Sequence, residues 1–157
     1  MGTLAYVGLG SNLGPREDRI EAALGLLSRA GGVRIRRRSP LYETDPVGGP
    51  PQGKYLNGVV EVEADLPAPD LLARLFRVEE GMGRRREVRF GPREIDLDLL
   101  LFGNEVRNDP DLILPHPRMR DREFVLRPLA DLEPDLRVPP DGARVRDLLL
   151  RIRKEVR

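Results

Sequence analysis

The chain has 157 residues, of which 39% are hydrophobic and 34% are charged, as expected for one globular domain with a buried core. Its net charge of +1 excludes an overall basic surface of the nucleic-acid-binding kind. The absence of cysteine excludes disulfides and thiolate metal sites. No apolar run approaches 18 residues, and the N-terminus has no basic leader. We therefore predict a single domain over residues 1–157, located in the cytoplasm, with neither a nucleic-acid nor a membrane partner.

The first half of the chain predicts one strand on each side of a helix. Apolar residues alternate over residues 3–10, which indicates a strand. Pro15 suits the first position of a helix, and apolar residues recur at helical spacing from there to Gly31-Gly32. A second strand is predicted from Val33 through Tyr42, before a loop rich in proline and glycine.

The second half predicts a strand, a helix and another strand. The even-numbered positions of residues 55–64 are apolar, so one face of this strand should be buried and the other open to solvent or ligand. Asp65 and Pro67 open a helix whose apolar stripe ends at Met82. An arginine-rich loop then leads to a strand over residues 95–102.

The predicted order, β-α-β-β-α-β followed by a helical tail, is typical of a ferredoxin-like α+β fold. Such a fold is an antiparallel sheet with two helices on one face, and here we expect the other face to be free. The C-terminal residues form a helical extension.

Asp96 and Asp98 are the strongest candidates for a metal site. They are two residues apart on a predicted strand, so both carboxylates should project from one face, with Cα atoms roughly 6–7 Å apart. Two carboxylates this close repel unless a cation lies between them, and Mg²⁺ accepts one or two carboxylates while keeping sites for water and phosphate. The pair could also bridge two ions. The alternative is an ordinary solvated strand face.

Phosphate is the ligand that the surrounding residues favour. Arg93 lies three residues before Asp96, after a dense arginine cluster, and guanidinium groups suit phosphate oxygens. His116 is the only histidine and precedes three further arginines, which favours phosphate contact over general-base catalysis. The alternatives are a solvated loop and a structural histidine. Gly10-Ser-Asn-Leu-Gly14 matches neither a P-loop nor the dinucleotide fingerprint, so a simple turn is favoured there.

Tyr55 and Asn57 lie two residues apart on the predicted open face of their strand. An aromatic ring and an amide can stack on and hydrogen-bond a flat heterocycle. An ordinary cross-strand aromatic residue is the alternative.

Taken together, these residues resemble the 6-hydroxymethyl-7,8-dihydropterin pyrophosphokinase family of folate biosynthesis, over nearly the whole chain. The motifs that carry the resemblance are Gly10-Ser-Asn-Leu13, Tyr42-Glu-Thr44, Tyr55-Leu-Asn57, Gly91-Pro-Arg-Glu-Ile-Asp-Leu-Asp98, Leu101-Phe-Gly-Asn104, Pro115-His116 and Arg122-Glu-Phe124. The resemblance implies a monomer that moves the β,γ-diphosphate of ATP to the hydroxymethyl oxygen of the pterin and releases AMP.

The resemblance also implies site residues. Asp96 and Asp98 would bind two Mg²⁺ ions and, with Arg84 and Arg86 of a mobile loop, carry catalysis. Pterin binding is expected at Thr44, Asp45, Val47, Tyr55, Asn57 and Phe124. ATP binding is expected at Glu79, Arg86, Phe90, Arg93, Leu99, His116 and Arg122.

Three positions depart from the family pattern. Asp45 stands where proline is common, Phe90 replaces a frequent tryptophan, and Pro117 stands where an aromatic residue often follows the histidine. They belong to the pterin-side loop, the arginine-rich loop and the nucleotide side.

Two other functions are compatible with the residues alone. A metal-dependent phosphohydrolase or nuclease would also use paired aspartates and arginines, but would not need a pterin pocket. A non-catalytic RNA-binding module on the same fold gains slight support from Arg36-Arg37-Arg38, although the open face carries aspartates instead of aromatic residues beside basic ones.

Overall fold

The computed structural model describes residues 2–12, 14–45, 53–83 and 95–156. The main sheet contains five strands, β1 Thr3–Ser11, β2 Val33–Arg38, β3 Tyr42–Thr44, β4 Tyr55–Ala64 and β5 Asp96–Phe102. The four helices are α1 Arg16–Ser28, α2 Ala68–Gly81, α3 Glu123–Leu132 and α4 Val145–Val156. Two short antiparallel pairs complete the structure, β6 Arg107–Asn108 with β7 Ile113–Leu114, and β8 Arg137–Val138 with β9 Ala143–Arg144.

The sheet has the strand order β2-β4-β1-β5, with β3 also paired to β4. All its pairings are antiparallel. Helices α1 and α2 cover one face through a buried stripe that includes Ile20, Leu27, Leu71 and Leu75. The predicted ferredoxin-like α+β architecture is therefore confirmed, and so is the helical extension at the C-terminus.

The predicted second strand, from Val33 through Tyr42, is wrong in one respect: it is two strands. Pro40 has no N–H to donate to a ladder, and it separates β2 from β3. Ser39 bridges the break, because its N–H donates to the Val59 carbonyl at 2.9 Å and its Oγ accepts from the Val59 N–H at 2.9 Å. A Cβ on Gly58 would lie 2.7 Å from Leu41 Cδ2, so this glycine leaves room for the chain between the strands.

The second face of the sheet is not free as predicted, because α3 and α4 cover part of it. They form a second core in which Val125, Leu126 and Leu148 pack with Tyr6 and Val59 of the sheet. The prediction failed because alternation along a strand reports which face is apolar, but not what a distant helix will cover. Among the described residues, one end of this face stays open.

A register shift between β1 and β5 serves both cores. Tyr6 is paired with Leu101 and Val7 with Leu99, so Leu100 is an additional residue in β5. Leu99 and Phe102 consequently belong to the first core, while Leu100 and Leu101 both belong to the second. Such a bulge changes which residues face each side of a strand.

A buried carboxylate ties the second face to β2 and α3. The Tyr6 hydroxyl donates to Glu61 Oε2 at 2.5 Å, and the Arg37 guanidinium donates to both Glu61 oxygens at 2.7 and 3.1 Å. Arg37 also donates to the Leu132 carbonyl at 2.6 Å. The guanidinium of Arg37 holds the pKa of Glu61 below its ordinary value, because it favours the charged carboxylate.

None of the helices within the described ranges is long and apolar enough to cross a membrane.

Replacing Glu61 by alanine is expected to lower the free energy of unfolding by about 2–3 kcal/mol, because it leaves the buried Tyr6 hydroxyl without its acceptor. Glu63→Ala is the matched control on the same face of β4. Its partners Arg34 and Arg36 are more than half exposed, so we expect a loss below about 1 kcal/mol. Urea denaturation measures both.

The pH dependence of stability gives a second test of the Glu61 interaction. Because the pKa of Glu61 is lowered in the folded state, its stabilisation is present above the unfolded pKa and is lost as pH falls through the folded pKa. The Glu61→Ala variant should therefore lose less stability than the unmodified protein on acidification. Equal losses for Glu61→Ala and Glu63→Ala at neutral pH would contradict this account.

Candidate active site

A cleft of about 1300 Å³ opens on the uncovered end of the second sheet face. Its floor is formed by β1, β4 and β5, and its walls by β3, the segment after β7, and the start of α3. The side chains of most interest along it are Tyr42, Thr44, Asp45, Tyr55, Asn57, Phe76, Asp96, Asp98, His116, Arg118, Arg122, Phe124 and Arg127. The cleft thus brings together residues that are up to 120 positions apart in the sequence, from Gly8 to Pro128.

Asp96 and Asp98 lie on the cleft face of β5, as predicted. Both are partly buried, whereas Ile95, Leu97 and Leu99 are buried in the first core on the opposite side. The strand register pairs Asp96 with Gly10 and Asp98 with Gly8. The two carboxylates therefore stand beside a stretch of β1 that has no side chains on this face.

Gly8 and Gly10 keep the floor of the cleft low. A Cβ on Gly10 would lie 3.0 Å from Asn57 Oδ1 and 4.0 Å from the Asp96 Cβ. A Cβ on Gly8 would have Leu100 as its nearest neighbour, at 3.6 Å. Any larger residue at position 10 would occupy the space between the amide on β4 and the carboxylate on β5.

Glu79 of α2 stabilises β5, the strand that carries the two aspartates, along its outer edge. Its side chain is 1% exposed, and Oε2 accepts the Leu97 N–H at 2.9 Å. β5 is an edge strand in this sheet, so this carboxylate satisfies a backbone donor on the side away from β1. Neither Glu79 nor Leu99, which is 3% exposed, lines the cleft. Their predicted contacts with ATP stay predictions.

His116 faces the cleft as a neutral hydrogen-bond donor. Burial, together with the guanidinium groups of Arg122 and Arg118, lowers its pKa, while the Asp96 carboxylate acts in the opposite direction. Its Nδ1 accepts the Arg118 N–H at 3.2 Å, so the proton of the neutral ring resides on Nε2. An N–H donor beside arginines is suited to a phosphate oxygen.

The opposite end of the cleft has the features of a pocket for a flat polar ring. The Asn57 amide donates to Thr44 Oγ1 at 2.5 Å, and Tyr55 is paired with Thr44 across the two strands. Phe124 approaches from α3, with the Arg122 guanidinium 5.4 Å from its ring centroid. Asp45 lies at the rim. The pairing of an aromatic ring and an amide that the sequence indicated is thus present in one pocket.

Several predicted site residues lie outside the described part of the chain. They are Val47, Arg84, Arg86, Phe90 and Arg93. Their predicted roles stay predictions.

Other cleft residues were not predicted. Gly8 and Gly10 break the alternation of β1 on the face opposite Ala5, Val7 and Leu9, and this signal is visible in the sequence. Phe76 lies outside the apolar stripe of α2. Arg127 gives no sequence signal that separates it from the many other arginines, whereas Arg118 is one of the three that follow His116.

The residues of the cleft fit Mg²⁺ better than a metal held by protein alone. Within the described ranges, no three or more His, Asp or Glu side chains are grouped as metal ligands. Mg²⁺ binds through one or two carboxylates and completes its shell with water and substrate phosphates. Asp96 and Asp98 on an open floor provide such a partial ligand set.

Comparison with known proteins gives a consistent family. The family model for 7,8-dihydro-6-hydroxymethylpterin-pyrophosphokinase matches residues 6–134. The chain is 46% identical over 144 residues to the 2-amino-4-hydroxy-6-hydroxymethyldihydropteridine pyrophosphokinase of Pseudomonas aeruginosa, covering 92% of this chain and 88% of that one. It is also 46% identical over 132 residues to the enzyme of the same name from Bacillus subtilis, covering 84% and 79%.

Solved structures agree on the fold. A chain described as HPPK-DHPS in complex with substrates superposes with a TM-score of 0.74 at 13% identity, over 99% of this chain and 44% of that one. A Plasmodium falciparum HPPK-DHPS triple mutant with pteroate gives a TM-score of 0.76 at 16% identity, over 96% and 41%. The chain therefore spans less than half the length of these longer proteins, and at this identity the likeness concerns the fold.

The protonation of His116 can be measured directly, because it is the only histidine. In the metal-free protein, NMR titration of its ring should give a pKa below the ordinary value of about 6.5. Asp96→Asn should lower the pKa further and Arg122→Ala should raise it, whereas Arg151→Ala on α4 should leave it unchanged. A pKa above the ordinary value would contradict the neutral donor.

Proposed function

Because the chain belongs to the 7,8-dihydro-6-hydroxymethylpterin-pyrophosphokinase family and is thus an ATP-dependent pyrophosphokinase of folate synthesis, we propose that its reaction takes place in the cleft described above. The reaction moves the β,γ-diphosphate of ATP to the hydroxymethyl group of 6-hydroxymethyl-7,8-dihydropterin. One observation carries the assignment: a single cleft joins a pair of carboxylates to a pocket for a flat ring.

The order of the strands suits the transfer. Tyr55 and Asn57 on β4 would hold the pterin, and Asp96 and Asp98 on β5 would hold the metal and phosphates. Only β1, with its two glycines, lies between them. Two strand spacings amount to about 10 Å, so a pterin in the β4 pocket can direct its hydroxymethyl group towards β5. Acceptor and donor would then be held in the geometry of attack.

On the pterin side, Asn57 and Thr44 would hydrogen-bond the edge of the heterocycle. Tyr55 and Phe124 would enclose its two faces. Their common task is to orient the hydroxymethyl oxygen. Asp45, at the rim, and Val47 are proposed as further contacts of this pocket.

On the nucleotide side, the charge of the triphosphate needs several cations. We assign phosphate contacts to His116, through Nε2–H, and to the guanidinium group of Arg122. Arg84, Arg86 and Arg93 are proposed to add charge neutralisation, which dominates phosphoryl-transfer catalysis. Glu79, Phe90 and Leu99 complete the residues proposed for the ATP side.

Asp96 and Asp98 would hold Mg²⁺, and we propose two ions. When bound, Mg²⁺ lowers the pKa of a coordinated hydroxyl and neutralises phosphate charge. The hydroxymethyl oxygen attacks the β-phosphorus in line. A bond forms between them and the hydroxyl proton is released to water. The bond from the β-phosphorus to the oxygen bridging it to the α-phosphorus breaks, and AMP departs with that oxygen.

The remaining expectations concern the whole molecule. We propose that residues 1–157 act as one domain, because α4 packs on α3 in the same core that closes the second face of the sheet. We also propose a monomer, since one chain supplies both ends of the cleft. The cytoplasm, where ATP and Mg²⁺ are plentiful, is its proposed location.

Product analysis tests the reaction. With Mg²⁺, ATP and 6-hydroxymethyl-7,8-dihydropterin, the protein should form AMP and a pterin diphosphate in equal amounts. Without the pterin, AMP formation should stop, which separates transfer from the hydrolysis expected of a phosphohydrolase. Formation of ADP would mean transfer of one phosphoryl group and would contradict the proposal.

The metal assignment is tested by Asp98→Asn, which keeps the shape of the side chain and removes its charge. Turnover should fall by at least about 100-fold, because the loss of a metal ligand removes several kcal/mol of transition-state stabilisation. The metal-free variant should be at least as stable as the unmodified protein, because a repulsion between carboxylates has been removed. Its thermal midpoint should no longer rise with Mg²⁺ and a non-hydrolysable ATP analogue.

Asp111→Asn is the matched control, because this aspartate is exposed and lies outside the cleft. It should keep both the turnover and the stabilisation by Mg²⁺ and the analogue. Near-normal turnover in Asp98→Asn would exclude this carboxylate as a metal ligand.

A further inference from the structure

Tyr42 links two elements that are far apart in the sequence. It lies in β3, and its hydroxyl donates to Asp131 Oδ2 of α3. The guanidinium carbon of Arg127, also in α3, lies 4.2 Å from the centroid of the Tyr42 ring. One side chain thus makes a hydrogen bond and a cation–π contact with the same helix.

The contacted residues share a helix face with Phe124. Positions 124, 127 and 131 are separated by three and four residues, a spacing that places side chains on one side of an α-helix. Phe124 and Arg127 both line the cleft. The face of α3 that meets Tyr42 is therefore the face that carries the aromatic wall of the pterin pocket.

Tyr42 also lies beside the other wall, through the pairing of β3 with β4. The strand register pairs Tyr42 with Asn57 and Thr44 with Tyr55, so Tyr42 belongs to the same face of the sheet as these residues and lines the cleft itself. The second core anchors α3 by residues on another helix face, including Val125 and Leu129. Those contacts hold the helix to the sheet, and Phe124 itself packs against that core. The Tyr42 contacts add a separate link, from β3 to the helix face that carries Phe124.

We propose that Tyr42 is a positioning residue that sets the separation between the Phe124 and Tyr55 walls, and thereby the affinity for the pterin. The proposal rests on the pterin pocket proposed above and adds a residue that need not touch the substrate. The Asp131 carboxylate raises the pKa of Tyr42, so the hydroxyl keeps its proton and remains a donor at neutral pH.

Tyr42→Phe and Asp131→Ala remove the same hydrogen bond from its two ends. Each should raise KM for the pterin by about 5–10-fold, because a pocket of the wrong width loses contact with one face of the ring. KM for ATP should change less than about 2-fold. The double variant should be no worse than either single one, since both changes delete one interaction.

Arg120→Ala is the matched control. Arg120 donates to Asp141 at 2.6 Å and so also links two separate segments, but neither residue lines the cleft. It should leave both KM values unchanged. An equal rise in both KM values, or additive effects in the double variant, would mean that Tyr42 only stabilises the fold and would overturn the proposal.

Tyr55→Ala separates failure of this proposal from failure of the pocket. If Tyr55→Ala raises KM for the pterin while Tyr42→Phe does not, positioning by Tyr42 is wrong and the pocket stands. If Tyr55→Ala leaves that KM unchanged, the pocket is wrongly placed and the positioning role falls with it.

Discussion

The antiparallel register between β1 and β5 is the constraint on which the site depends. It places Asp96 and Asp98 beside Gly10 and Gly8 and sends Leu97 and Leu99 into the first core. A slip of one residue would exchange the two sets. Both carboxylates would then enter an apolar core, at a cost that no ion pair there would offset. The same register that satisfies packing therefore also presents the acidic pair to the cleft.

Two further features reinforce this register. Glu79 accepts the Leu97 N–H from the outer side of β5, which fixes the strand between its partner β1 and helix α2. The additional residue Leu100 then lets the end of β5 serve the second core without disturbing the segment that carries the aspartates. One strand thereby contributes to two cores and to the site: residues 95–99 alternate between the first core and the site, and Leu100 and Leu101 belong to the second core.

The second face of the sheet is divided between stability and chemistry. At one end, the buried Tyr6 and Glu61 are hydrogen-bonded to each other and Glu61 to the exposed Arg37, which reaches α3. At the other end, glycines keep the face low and polar side chains surround the opening. Helix α3 belongs to both halves, since Leu126 packs in the core and Phe124 lines the cleft. Its position on the sheet therefore determines the shape of the pocket.

The sequence permitted prediction of those features that depend on local periodicity. Alternation placed Asp96 and Asp98 on one face, and the helical spacing of Leu71 and Leu75 identified the buried side of α2; both are confirmed. The resemblance of the motifs to a known family supplied the individual site residues, among which Thr44, Tyr55, Asn57, His116, Arg122 and Phe124 do meet in one cleft.

Long-range contacts were beyond such reasoning. The cover provided by α3 and α4, the burial of Glu79 under β5, and the link from Tyr42 to Asp131 depend on segments that meet only in the folded chain. The break between β2 and β3 is different, because Pro40 signals it in the sequence. The apolar residues on either side of Pro40 fit one strand, but the missing backbone donor divides it in two.

The bare stretch of β1 limits how this protein can evolve or be engineered. Glycine is a poor strand residue, so its two occurrences in a central strand each lower the stability by about 0.5–1 kcal/mol relative to alanine. An alanine methyl group at position 8 would have ordinary contacts. At position 10 it would lie too close to Asn57, with 3.0 Å between the added Cβ and Asn57 Oδ1. Both glycines line the cleft, so even a methyl group at position 8 would raise the floor beside Asp98. A lineage that needed more stability would have to find it in the two cores and leave the floor of the cleft as it is.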